Sequence, residues 1–311
     1  MKVSEIKELL KGYTEKEKDR IIIELYNKIP KKMREAKGVD EYLKNANAKK
    51  EAQNGTFNDD LIAEMNYFIS CANEGLYASP NRFISKEDRK NWRYKVKRYY
   101  KILKNVPPVG EEGIIATDYL IMLFNLLSYG THYLTFTSWS TFSSIGIYQL
   151  DYLNLLYDRI LANGINDETL TKCAKLSLIY CDGNVLYSDG IVDLCYHINN
   201  KDDKIKLIDI LNKEIEELSK KKRRDSHMIE SYYNGLLYFY FTSQKFADGV
   251  ANFLKNSTDR LEVKLYIILS VLETLEYKEE WIELYEKYEN KVEFRDYLKE
   301  TYLNMKKDID N

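Results

Sequence analysis

Six cations recur along one stretch of the chain. In SKEDRKNWRYKVKRYYKILKN (85–105), Lys86, Lys90, Arg93, Lys97, Lys101 and Lys104 follow one another at intervals of three or four residues. At about 100° per residue, this spacing places all six on one face of a helix. A row of cations is the shape that a phosphate backbone meets, and Tyr94 or Tyr100 beside it can stack on a base. The same spacing also describes a solvated face whose long basic stems cover apolar surface. The element that must hold the cations is legible as well. Ser85 can cap the helix, with Asp88 at its third position, and Pro107 ends it. Trp92, Val96, Tyr99 and Leu103 form a narrow apolar stripe away from the cations, predicted to pack on the rest of the chain.

A second candidate lies in THYLTFTSWSTFSS (131–144). From Tyr119 to Leu150 there is no Asp, Glu, Lys or Arg, although 31% of the chain is charged. Tyr133, Phe136, Trp139 and Phe142 sit three apart, so on an α-helix they spiral around the axis and no single face holds them. The reading is a central structural segment, either a helix buried on several sides or a tight stretch with about three residues per turn. Gly130 and Gly146 are expected to mark its ends. The alternative is a ligand pocket built on His132, Tyr133, Trp139 and Ser140, with Trp139 as the stacking surface.

Other chemistry is absent. Cys195 and His197 are two apart and point in different directions on a helix, and Cys181 with Asp182 fits no zinc spacing. No metal and no cofactor is expected. There is no glycine-rich phosphate loop, no dinucleotide fingerprint, no nucleophile elbow and no HExxH. Glu111 and Glu112 read as first-turn acids favoured by a helix dipole rather than as a catalytic pair. With no catalytic motif, the chain is read as non-enzymatic.

The elements around these residues predict an all-α protein. All four prolines, Pro30, Pro80, Pro107 and Pro108, fall early in the 311 residues, which leaves a long proline-free stretch open to helix. Leu261, Leu265, Ile268, Val271, Leu272 and Leu275 share one helical face, and 281–303 continues the pattern. Turn signals at 163–167, 181–184, 188–190 and 199–203 punctuate the C-terminal half, so paired helices are expected to stack into a helical-repeat array, an α-α superhelix or solenoid. Residues 1–45 read as a small N-terminal helical module, in which Thr14 and Glu17 form a capping box. Residues 46–60 read as a polar linker or helix extension, and 61–311 as the helical-repeat body. Charge is balanced, 47 basic against 49 acidic residues, which argues against a chain-wide polyanion binder. No signal peptide is seen, and no uninterrupted apolar run approaches the ~20 residues of a membrane span. A cytoplasmic location with reduced cysteines and no membrane partner is expected.

Two local resemblances add to this. YYNGLLYFYFTSQKFADGVANFL (232–254) resembles one tetratricopeptide-type helix pair, through Tyr233, Leu236, Tyr240, Phe246, Gly249 and Phe253. Leu237 stands where that family has a small residue, and a strict period of 34 does not recur. The resemblance implies helix-pair packing and a protein-binding groove. Residues 2–26 are similar to the SAP motif, a two-helix DNA-binding module, at Val3, Glu5, Ile6, Lys7 and Leu10. The glycine and lysine that precede its second helix are missing. As a whole the chain resembles helical bacterial proteins, a resemblance that implies nothing about activity. The function expected is binding of a protein partner through the concave side of a helical array, with oligomeric state left open. The alternative is nucleic-acid binding through 85–105, joined by 2–26. A third class, an enzyme with a pocket near 129–146, has no motif behind it.

Overall fold

Among the described residues the regular structure is helical throughout, and no strand occurs. The computed structural model describes residues 3–36, 39, 56–78, 85–133, 135, 136, 138, 140–179, 185–220 and 226–309. The chain divides into two units, Met1–Thr56 and Phe57–Asn311.

The first unit holds α1 (Val3–Lys11), α2 (Glu15–Lys28) and α3 (Lys31–Ala36). The Thr14 hydroxyl accepts from the Glu17 amide at 3.4 Å, and the Glu17 carboxylate accepts from the Thr14 amide at 2.7 Å. This reciprocal pair satisfies two amides that α2 leaves open at its start. The Thr14 bonds also hold the Glu17 carboxyl below its ordinary range. No residue of α2 is buried, and Ile22, Ile23 and Leu25 are exposed.

The second unit runs from α4 (Asp59–Asn73) and α5 (Lys86–Asn105) through α6 (Glu111–His132), α7 (Thr141–Ile145), α8 (Gln149–Leu161), α9 (Asp167–Ser177) and α10 (Asp189–His197). It continues with α11 (Lys201–Ser219), α12 (Ser226–Thr242), α13 (Phe246–Asn256), α14 (Leu261–Thr274), α15 (Lys278–Tyr288) and α16 (Asp296–Ile309). One continuous core joins α4 to α16. Packing follows a rule: α4, α6, α8, α10 and α12 each lie against the next but one, so the series ends on α14, while most helices also pair with their immediate neighbour.

The α12–α13 and α14–α15 hairpins match position for position at an offset of 32 residues. Thr242 and Thr274 end the first helices, and each hydroxyl bonds back to the carbonyl four residues earlier, Tyr238 and Ser270. Gln244 and Glu276 turn the chain at φ 58° and 60°. The Lys245 amide then reaches the Tyr240 carbonyl at 2.9 Å, and the Tyr277 amide the Leu272 carbonyl at 3.0 Å. Both closures are left-handed helix ends that satisfy otherwise open carbonyls. The buried positions correspond too: Leu236 with Ile268, Leu237 with Leu269, Tyr240 with Leu272, and Phe253 with Tyr285.

Two features near the N-terminal end of this unit fix α5. Trp92, Val96, Tyr99 and Leu103 are fully buried, and Trp92 stacks on Phe136 with ring centroids 4.2 Å apart. Arg159 of α8 is only 3% exposed. Its guanidinium donates to the carbonyls of Val106 at 2.7 Å, Lys104 at 3.4 Å and Gly113 at 3.3 Å, and to the Thr117 hydroxyl at 3.0 Å. A planar fork of five donors suits this cluster of carbonyls at the end of α5. Burial lowers the Arg159 pKa from its ordinary value.

One expectation changes here. Helix α6, over Glu111–Thr131, is long and apolar enough to cross a membrane by length and composition, and an 18-residue stretch within it is 56% buried in the chain. An uninterrupted apolar run misses it, because Thr117, Asp118, Asn125 and Ser128 divide the stretch while leaving it apolar on average.

Candidate functional site

A concavity lies between α13 and α15, a cavity of about 560 Å³. Its formation follows from the hairpins. The first helices, α12 and α14, pack against each other, so the second helices stand beside them over a shared floor. Phe241 of α12 and Leu272 of α14 form that floor, together with Phe246 at the start of α13. Phe241 and Phe246 stack at 5.6 Å, and Phe246 meets Tyr277 edge-on at 5.0 Å.

One wall is α13, which presents Ala247, Val250, Ala251 and Leu254 to the cavity. This spacing of three and four is one helical stripe. It is distinct from the set that α13 buries, Gly249 and Phe253. Ala247 and Ala251 are exposed, and Val250 and Leu254 are half-buried. The opposite wall is α15, with Leu284 and Tyr288 at its base and Glu279, Glu280 and Glu283 along its rim. Lys287 is the one cation among the described lining residues, and its ammonium lies 5.8 Å from the Tyr288 ring centre. None of the three rim carboxylates has an ion-pair partner among the described residues. The result is an apolar trough with an acidic edge.

Sequence reading missed this trough. Phe246, Gly249 and Phe253 stood out as helix-pair positions, but the second stripe did not. The signal available was α13 itself, apolar on two faces, which marks a helix with something to cover on both.

The basic helix keeps its cations on the surface. Lys86, Lys90, Lys97, Lys101 and Lys104 are exposed, whereas Arg93 is half-buried with its guanidinium 5.5 Å from the Trp92 ring centre. Lys86, Lys90, Lys97 and Lys104 have no carboxylate within ion-pairing distance among the described residues. Tyr94 is 75% exposed. Tyr100 is not available to a base: it is half-buried and packs on Tyr152 at 4.7 Å. Burial raises the Tyr100 pKa. The Asp88 side chain lies outside the described residues.

The charge-free segment divides. The His132 side chain and Trp139 lie outside the described residues. Tyr133 is exposed and stacks on Tyr129 at 4.2 Å. Ser140 is half-buried, and its carbonyl and amide both bond the Ser138 hydroxyl. Phe136, Thr141 and Phe142 are buried, and Phe142 packs on Phe124 at 5.5 Å. Gly146 ends α7 in the left-handed region at φ 68°. Gly130 does not mark an end. It lies within α6, where an added Cβ would come 2.9 Å from the Phe136 ring, so glycine there lets that ring pack on the helix backbone.

The sulfur and imidazole groups are also placed. Cys195 is buried with its thiol 3.3 Å from the Thr242 hydroxyl, and burial raises its pKa. His197 lies between Asp158 at 3.2 Å and Asn154 at 3.1 Å. Among the described residues no group of three or more His, Cys, Asp or Glu is arranged to hold a metal ion. Cys181 and Asp182 lie outside the described residues. Compared with known proteins, the chain matches no family model, no curated protein and no solved structure.

Proposed function

We propose that this chain is a non-enzymatic helical-repeat protein that binds a protein partner in the trough between α13 and α15. The observation that carries the reading is the trough: apolar side chains left open to solvent beside carboxylates that have no partner in the described chain. Exposed apolar concavities rimmed by polar groups mark interaction sites more often than bare surface does. The repeat architecture is supported by the next-but-one packing of α4 to α14 and by the recurrence of one hairpin geometry after 32 residues. The tetratricopeptide-like reading of 232–254 rests on the burial of Tyr233, Leu236, Tyr240, Gly249 and Phe253. A cytoplasmic setting belongs to the same proposal and is supported by Cys71, Cys173 and Cys195 being unpaired.

A second reading is nucleic-acid binding through α5, with the SAP-like residues 2–26 as an accessory. It is favoured by the exposed lysines of α5 that lack ion pairs. Variants separate the two. Ala251 is exposed, so Ala251→Trp fills the trough without disturbing the core. Protein capture is expected to be lost in Ala251→Trp and kept in Lys90→Glu/Arg93→Glu/Lys97→Glu/Lys101→Glu. The second reading predicts the reverse, with retention of DNA or RNA that falls steeply with salt.

A further inference from the structure

Resting on the trough reading above, we propose that its occupant is a basic amphipathic helix. The α13 wall offers Ala247, Val250, Ala251 and Leu254 as a straight apolar stripe, two of whose residues are alanine. Small side chains let a second helix axis come close, and an apolar stripe at intervals of three and four is what another amphipathic helix covers. Extended peptide is a poorer fit. The walls are helices with their backbone bonds already made, so they present no strand edge to a β-segment.

The rim sets the charge. Glu279 and Glu283 are one helical turn apart on α15, with Glu280 beside them, so three carboxylates run along one side of the trough against the single Lys287. A seated helix brings one flank within reach of that rim. Lysine or arginine at matching one-turn intervals on that flank pairs with Glu279 and Glu283. Acidic residues there meet like charge, which opposes binding. The occupant therefore carries apolar residues at i, i+3, i+4 and i+7 and cations one turn apart on the adjacent face.

The test uses the full chain and two labelled peptides of about 15 residues, long enough to form a helix on contact. One is built of leucine, alanine and lysine, and the other has every lysine replaced by glutamate. Fluorescence anisotropy is read on the wild-type chain, on Glu279→Lys/Glu283→Lys, on Ala251→Trp, and on Glu111→Lys/Glu112→Lys as a control with the same change in charge at a distant helix start. The proposal predicts that the lysine peptide binds the wild-type chain and the control alike. It predicts binding roughly tenfold weaker to the Glu279/Glu283 variant, as expected for reversal of close charge pairs, and loss in Ala251→Trp. The glutamate peptide is predicted to bind only the Glu279/Glu283 variant. Equal binding of both peptides, blocked by Ala251→Trp but indifferent to Glu279 and Glu283, refutes the basic occupant and leaves the trough reading standing. Equal weakening by the control pair shows attraction to overall charge and also refutes it. Binding of neither peptide, with protein capture from cells unaffected by Ala251→Trp, removes both. Sedimentation showing a dimer that Ala251→Trp dissociates assigns the trough to a second copy of the chain and refutes the basic helix.

Discussion

At the scale of single residues, the side chain that fixes the setting of the basic helix is Arg159. It is buried without a carboxylate, and carbonyls of the α5–α6 connection take its donors instead. Replacing it with methionine keeps the volume but removes these donors, and the Val106 carbonyl loses its 2.7 Å bond. Arg159→Met is therefore expected to lower unfolding stability by about 3 kcal/mol, the scale of losing charge-assisted bonds at a buried site. Arg159→Lys is expected to recover only part of this, because an ammonium lacks the planar fork. Urea denaturation of the three proteins checks both. Gly249 is the second such residue. A Cβ there would lie 2.7 Å from the Tyr240 Cβ and 3.1 Å from the Phe241 ring, so α12 and α13 touch backbone to side chain. Gly249→Ala is expected to cost about 1–3 kcal/mol through overpacking, seen as a lowered thermal midpoint. Gly249 was visible in the sequence as the small position of a helix pair. Arg159 was not, because a guanidinium that bonds carbonyls across the fold leaves no local pattern.

At the scale of elements, the helices were legible wherever one face is apolar and the other charged. The α5 stripes and the Thr14 cap are where the spacing placed them, since each depends on residues within a turn or two. The 32-residue recurrence was not legible. Gly249 stands opposite Trp281 at the same structural position, so the two hairpins share burial and turn geometry rather than side chains. Their turns carry a testable cost. Gln244 and Glu276 hold positive φ, which a side chain with a Cβ resists. Gln244→Gly and Glu276→Gly are each expected to raise stability by roughly 0.5–1 kcal/mol. The two should add within a few tenths of a kcal/mol, because they lie in different hairpins. A double-mutant cycle in urea measures this. Loss of stability in either variant would contradict the shared turn. The trough was hidden for a related reason: its walls come from two hairpins, and nothing in the α13 sequence says that Glu279 and Glu283 face it.

At the scale of the whole molecule, the core is rich in tyrosine, and this sets its response to alkali. Burial raises the hydroxyls of Tyr99 and Tyr152 above their ordinary 10.0, and pushes the Cys173 thiol up to about 12. The folded chain keeps these protons while the unfolded chain releases them, so stability is full below the unfolded values and falls as pH rises past them. The urea midpoint is expected to decline from about pH 9, where the Cys173 thiol begins to ionise in the unfolded chain, and more steeply near 10. A midpoint unchanged to pH 11 would contradict the buried hydroxyls. Photo-crosslinking in the cells that make the chain reads out whether a protein occupies the trough between α13 and α15. A benzophenone side chain replaces Ala247, which is exposed on the α13 wall. A protein bound in the trough is expected to give a discrete adduct that disappears with Ala251→Trp and survives reversal of Lys90, Arg93, Lys97 and Lys101 to glutamate. An adduct that persists with Ala251→Trp, or one that is nucleic acid and vanishes with the lysine reversals, would contradict it.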